Sequence, residues 1–288
     1  MSNPIHVPEP EGSYFVDAEN VAEMARLTKQ ARTLSEHLGL FPERLDLSQY
    51  HRILDIGCGP GEWALEVARS FPAKQIIGID SSNLMINYVR YITESQGVLN
   101  AQFQLMDARQ PLVFPDASFD LVSARFISGF LTTNMWPQIL RECFRILRPG
   151  GILCSCEPEN LGSTTSPSLT RYNHLVVQTL RLAGQCFSPA GDQAGTAAIM
   201  PRLFREAGFQ QPQQGGYIIN FSAGMPAYLA TYDNLKTLMK LLQPLIVQNK
   251  LITQPEIDVL YARTLEEMED ESFCAAAFFQ RVWGKKPE

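Results

Sequence analysis

The chain has 288 residues, of which 45% are apolar and 19% charged, with a formal net charge of −6. These are ordinary values for a globular protein with a substantial core. No cluster of Lys and Arg is long enough to form a basic stripe, so nucleic acid is not expected as a partner, because phosphate neutralisation dominates that affinity.

Residues 1–12 are polar and Pro-rich and do not read as a secretory signal. No stretch of about 18 apolar residues exists, so no membrane span is expected. Asp17 is a candidate cap for a helix that carries Val21, Met24, Ala25, Thr28 and Ala31 on one stripe. A loop at 41–43 follows. From 51 to 158, short β-type runs alternate with helical patterns, which predicts a doubly wound α/β sheet. Residues 52–56 (RILDI), 75–80 (QIIGID), 101–106 and 119–124 (FDLVSA) are predicted strands one to four. Ser81 or Ser82 is placed to cap the helix after the second strand. Trp136, Ile139, Leu140, Cys143, Phe144 and Leu147 share a helix face, which Pro149-Gly150-Gly151 ends before a fifth strand at 152–156.

Beyond residue 157 the pattern loosens. Loops at 157–168 and 189–196 flank a helix near 169–186, and 197–207 reads as a core-docked helix ending at Gly208. A strand is expected at 217–221 and a helix at 227–242. Thr253 and Glu256 form a capping box for a helix bearing Ile257, Leu260, Tyr261, Thr264, Leu265 and Met268. A last strand is expected at 273–283. The six cysteines (Cys58, Cys143, Cys154, Cys156, Cys186 and Cys274) match neither a disulfide framework nor a zinc site, and read as reduced thiols in a cytoplasmic protein.

The sharpest chemical signal is Asp55-Ile56-Gly57-Cys58-Gly59-Pro60-Gly61-Glu62, which follows a strand and opens a helix. Its glycines allow a tight turn and close approach to a ligand. Asp80, at the end of the second strand, is placed to accept the hydroxyls of a ribose. A dinucleotide fingerprint requires glycine at position 62. Glu62 suits the helix dipole but repels a pyrophosphate, so the loop favours a ligand without phosphates.

In these motifs the chain resembles the class I S-adenosylmethionine-dependent methyltransferases over roughly residues 50–158. The resemblance implies that Asp55, Gly57, Cys58, Gly59 and Gly61 form the loop around the methionine part of the cofactor. Asp80 would bind the ribose, with Ser81 and Met85 against ribose and adenine. Met106-Asp107-Ala108 resembles the segment that contacts adenine, and the stretches 114–120 and 147–151 are similar to those flanking the fourth and fifth strands. Tyr14, with Arg26 and Leu27, is similar to the lid of small-molecule members, although an ordinary docking helix explains it equally well. The implied architecture is a seven-stranded, mostly parallel sheet of order 3-2-1-4-5-7-6, in which only strand 7 is antiparallel. Residues 1–45 would supply the lid helices. Residues 46–288 would form a Rossmann-like domain with helical insertions at about 158–200 and 224–271.

Methyl transfer from a sulfonium depends chiefly on positioning, with a base needed only where the acceptor must lose a proton. Arg125 and Phe126 leave the fourth strand on the ligand side; Arg125 suits the cofactor's carboxylate, an anionic substrate or a plain surface ion pair. Glu157 is a candidate for orienting an acceptor, and a loop hydrogen-bond partner is the bland alternative. Among four histidines, His6 lies in the N-terminal stretch, His37 late on a helix and His51 at a strand start. His174 is the remaining candidate base, against a solvated helix position. Met225, Tyr228, Tyr232 and Met239 suggest an apolar pocket roof or ordinary core. No metal-ligand set is present. The expected function is methylation of an O, N or C atom of a small, fairly apolar metabolite, with a homo-oligomer left open. The alternatives are another reaction on the same cofactor (cyclisation or decarboxylation), a non-catalytic binding module, and a nucleotide-dependent oxidoreductase that Glu62 disfavours.

Overall fold

The computed structural model describes residues 14–43 and 45–288; His6 lies outside the described residues. Five strands follow the predicted alternation: β1 (Arg52–Ile56), β2 (Gln75–Asp80), β3 (Ala101–Leu105), β4 (Phe119–Arg125) and β5 (Leu147–Pro158). Helices α1 (Val21–Leu38), α2 (Glu62–Ser70), α3 (Asn83–Ser95) and α4 (Trp136–Ile146) accompany them. Next come a two-residue β6 (Ser163–Thr164), α5 (Pro167–Leu182), α6 (Thr196–Glu206), β7 (Gln210–Asn220), α7 (Tyr228–Gln248), α8 (Gln254–Glu269) and β8 (Ala275–Lys285).

The sheet has eight strands in the order β3-β2-β1-β4-β5-β8-β6, with β7 pairing β8. β1 to β5 are parallel, and β8 runs antiparallel to β5, β6 and β7. This is the expected doubly wound sheet with its reversed last strand, plus the short β6. Side-chain alternation gives the sheet two apolar faces. Leu54, Ile56, Val122 and Leu153 meet Trp136 and Ile139 of α4 and Phe204 of α6. Ile53, Leu121 and Ile152 meet Trp63 and Val67 of α2 and Ile86 and Val89 of α3. A third cluster joins α1, α5, α7 and α8 to Ile219 of β7 and Ala275 of β8.

Several boundaries differ from those read in the sequence. Asn20, not Asp17, caps α1, accepting the Ala22 N–H at 2.8 Å. The buried face of α1 carries Glu23, Arg26, Leu34, Ser35 and Leu38, whereas Val21 is 63% exposed. The apolar stripe misled because this helix buries polar groups that find partners. β5 starts at Leu147: Pro149-Gly150-Gly151 lies within a register irregularity opposite β4, and Gly150 and Gly151 still bond to Lys286. β7 extends back to Gln210 because pairing with β8 supplies backbone bonds that the Gln-rich sequence does not advertise.

Candidate functional site

The loop between β1 and α2 holds Gly57, Gly59 and Gly61 at φ of 65, 54 and 81°. At Gly61 the requirement is also steric: a Cβ would lie 2.1 Å from Val89 Cγ2. The loop is tied to β2 by the Cys58 N–H, which donates to the Ile79 carbonyl at 2.9 Å. Asp80 completes the cradle, accepting the Gly59 and Ser82 N–H groups at 2.9 Å each. Burial pushes the Asp80 carboxyl up, and these amides pull it back. Ser82 caps α3 through the Met85 N–H at 3.2 Å, leaving Ser81 exposed, and Met85 is buried beneath.

Asp55 is 2% exposed, and burial pushes it up to about 7 against the opposing pull of Arg125 and Ser123. Met106, Asp107 and Ala108 follow β3, and the Met106 N–H donates to the Asp80 carbonyl at 2.9 Å. The Asp107 carboxylate is forked by Arg109 at 2.8–3.1 Å; these bonds outweigh partial burial and hold it below the usual range.

The N-terminal segment lies across this cradle. The Glu19 carboxylate accepts the Asn83 and Leu84 N–H groups at the start of α3, at 2.9 and 3.1 Å. Ser82 Oγ donates to the Ala18 carbonyl, and Leu27 packs over Gly59. Tyr14 donates to Glu23 at 2.8 Å; burial, then the Glu23 charge, raises its pKa. Arg26 forks Glu23 at 2.6 and 2.7 Å, with the pair almost wholly buried. Arg32 of α1 pairs with Glu62 at 3.1 Å. A carboxylate in the first turn of α2 is thus built into the cradle, which fits a phosphate-free ligand and opposes a pyrophosphate. The carboxylate at Asp80, the open glycine backbone and the anionic α2 start together suit a ribose joined to a cationic sulfonium.

At the end of β4, the Arg125 guanidinium stacks 5.0 Å from the Trp63 ring, and its buried Nε has no partner among the described residues. Desolvation lowers its pKa, opposed first by Asp55. Arg125 is therefore not in a surface ion pair. Phe126 holds a left-handed φ of 59°, uncommon for a bulky residue and a recurrent feature of functional turns. Its ring meets Phe279 edge-on at 5.9 Å.

Glu157, 1% exposed, accepts the Ile127 and Ser128 N–H groups at 3.1 Å each and the Ser155 hydroxyl at 3.3 Å. Burial pushes its carboxyl up to about 7. Its oxygens clamp the turn after β4. His174 is exposed on α5 and contacts Gln178 one turn on. Of the proposed roof residues, Tyr232 and Met239 are buried, whereas Met225 is 42% exposed.

Glu19, Glu23 and Asn234 were missed in the sequence. The signal available for the lid was the polar stripe Glu23, Arg26, Gln30, which recurs at helical spacing. Asn234 lies 208 residues from its partner Arg26, and no local pattern announces it.

Residues 53–151 match the sequence profile of a family described as a methyltransferase domain. The methyltransferase str3 of Strobilurus tenacellus is 30% identical over 132 residues, covering 46% of this chain and 44% of that protein. A demethylmenaquinone methyltransferase of Lactococcus lactis is 27% identical over 190 residues, covering 59% of this chain and 72% of that one. The match thus spans under half of the first relative and nearly three quarters of the second. The solved structure of Haemonchus contortus phosphoethanolamine N-methyltransferase 2 in complex with S-adenosyl-L-methionine superposes with a TM-score of 0.53. It is 18% identical and covers 88% of this chain and 53% of that one, a likeness that shows the fold.

Proposed function

We propose that this chain, which carries a class I S-adenosylmethionine-dependent methyltransferase domain, methylates an O, N or C atom of a small, fairly apolar metabolite in the cytoplasm. The observation that carries the reading is the phosphate-free cradle: Asp80 and the three left-handed glycines, closed by Glu62 and the lid. Asp55, Gly57, Cys58, Gly59 and Gly61 would hold the methionine end. Asp80, Ser81 and Met85 would hold the ribose and its adenine, with Met106, Asp107 and Ala108 beside the base.

The cofactor supplies a methyl group on a sulfonium that is already a good leaving group. The chain's task is then to orient the acceptor in line and exclude water. Tyr14 and α1 cover the donor. Phe126, fixed by its left-handed turn after β4, meets Phe279 of β8 edge-on. Glu157 acts on that turn through two backbone amides, so we assign it a positioning role. We assign His174 no role.

Calorimetric titration with S-adenosylmethionine, S-adenosylhomocysteine and NAD tests the reading. Micromolar binding of the first two and none of NAD is expected, followed by labelled product in a panel of apolar acceptors. A folded protein that ignores all three ligands would overturn it.

A further inference from the structure

Beside α1, the α7 helix and the β7–β8 pair line an open cleft of about 360 Å³, most of it open to solvent and only about 50 Å³ of it enclosed. Leu34, Ile219 and Phe279 give it apolar walls, and Gln30, Thr231 and Asn234 add neutral polar groups; no charged residue lines it. Phe279 is also the ring that meets Phe126 at the end of β4, so one wall of the cavity borders the turn after that strand.

The orientation of the two amides is fixed from behind. Arg26 NH1 lies 2.9 Å from Asn234 Oδ1 and 3.3 Å from Gln30 Oε1. A guanidinium donates and never accepts, so both amides must turn their oxygens to it. Their NH₂ groups are then left as donors, and neither has a hydrogen-bond partner among the described residues. Arg26's own charge is neutralised by Glu23 in a buried fork. The cavity is therefore apolar, uncharged and donor-rich at one end.

We propose, resting on the methyltransferase reading, that this cavity is the acceptor subsite and takes a neutral, largely apolar molecule through a carbonyl oxygen that accepts from Asn234 and Gln30. A hydrocarbon leaves the two amides unpaired and loses affinity. An anion finds no uncompensated cation there.

Ligand-observed NMR on the protein loaded with S-adenosylhomocysteine tests this with a matched set: 1-tetralone, its hydrocarbon tetralin, and 1-naphthoate. Tetralone should bind at least about fivefold more tightly than either of the others, in keeping with one hydrogen bond to a neutral group. Asn234→Leu should erase the preference over tetralin in a protein that remains folded by circular dichroism. Equal binding of tetralone and tetralin to the native protein, or a preference untouched by Asn234→Leu, overturns the proposal. Should that variant not fold, Ala230→Phe fills the mouth from an exposed position on α7; it should abolish tetralone binding, and retained binding overturns the proposal. Failure of the native protein to bind S-adenosylhomocysteine at all overturns the methyltransferase reading instead, so the two failures are distinguishable.

Discussion

Asp80 has two jobs that a single substitution would remove together. It accepts the Gly59 N–H, which shapes the glycine loop, and the Ser82 N–H, which opens α3. Hydrogen bonds to a charged group contribute about 1.5–3 kcal/mol each. Asp80→Ala should therefore weaken S-adenosylhomocysteine binding by about a hundredfold while the protein remains folded, as read by calorimetry beside circular dichroism. Unchanged affinity would remove Asp80 from the site. Glu157 makes a prediction of opposite character, because its burial is costly. Its carboxyl is raised from 4.5 to about 7 in the folded chain. The native state thus holds the proton more tightly than the unfolded one. The resulting stability is full below about 4.5 and is lost as pH rises through about 7, on the order of 3 kcal/mol. Asp55, also raised to about 7 by burial, shares the window and the sign. Glu157→Gln should accordingly flatten, without abolishing, the fall in denaturant-unfolding stability between pH 5 and 8. A slope equal to that of the native protein would show that the buried carboxylate does not titrate there.

Helix α1 carries two kinds of ion pair. Glu23 and Arg26 are almost fully desolvated, and removing one partner leaves a buried charge unpaired, which typically costs 3–5 kcal/mol. Arg32, 63% exposed, pairs with Glu62 across solvent, where such pairs contribute under about 1 kcal/mol. Arg26→Met should thus lower unfolding stability by about 3 kcal/mol or more and Arg32→Ala by less than about 1. Equal losses would mean that the lid is not packed as described. The same helix marks where the sequence stopped being legible. In β1 to β5 the alternation, the glycine loop and Asp80 are local signals, readable because each element's burial follows from its own period. In α1 the buried face is set by partners far along the chain: Glu23 by Tyr14 and Arg26, and Arg26 by Asn234. Glu157 was legible as a residue at a strand end, but its engagement with Ile127 and Ser128 depends on the left-handed turn at Phe126. His174, exposed on α5, occupies the solvated helix position that stood as its alternative. A helix pattern gives spacing, but which side of α5 meets water is decided by Tyr172 and Leu175 packing into the third cluster.

Across the whole molecule, α1 bridges α3 and the glycine loop to α7 and β8. Its entry is held to α3 through Glu19 and Ser82, and its middle to α7 through Arg26 and Asn234. Its exit is held to β8, where Arg281 donates to the Gly39 and Phe41 carbonyls at 2.8 and 2.6 Å. The turn after β4 touches the same helix system. A Cβ at Gly129 would lie 2.7 Å from Phe15, and Ile127 and Phe130 back the Gly57 turn. A ligand in the cradle would therefore stabilise segments far from it in sequence, because opening to solvent requires these contacts to part together. Hydrogen exchange with saturating S-adenosylhomocysteine should slow the amides of α1 and of residues 126–130 by tenfold or more, together with those of residues 57–61. α8, which packs on α5 and α7 at the far side of the third cluster, should change little. Protection confined to residues 57–61 and Asp80 would mean that the lid closes independently of the cofactor. The contacts of Glu19 and Arg26 would then be only structural.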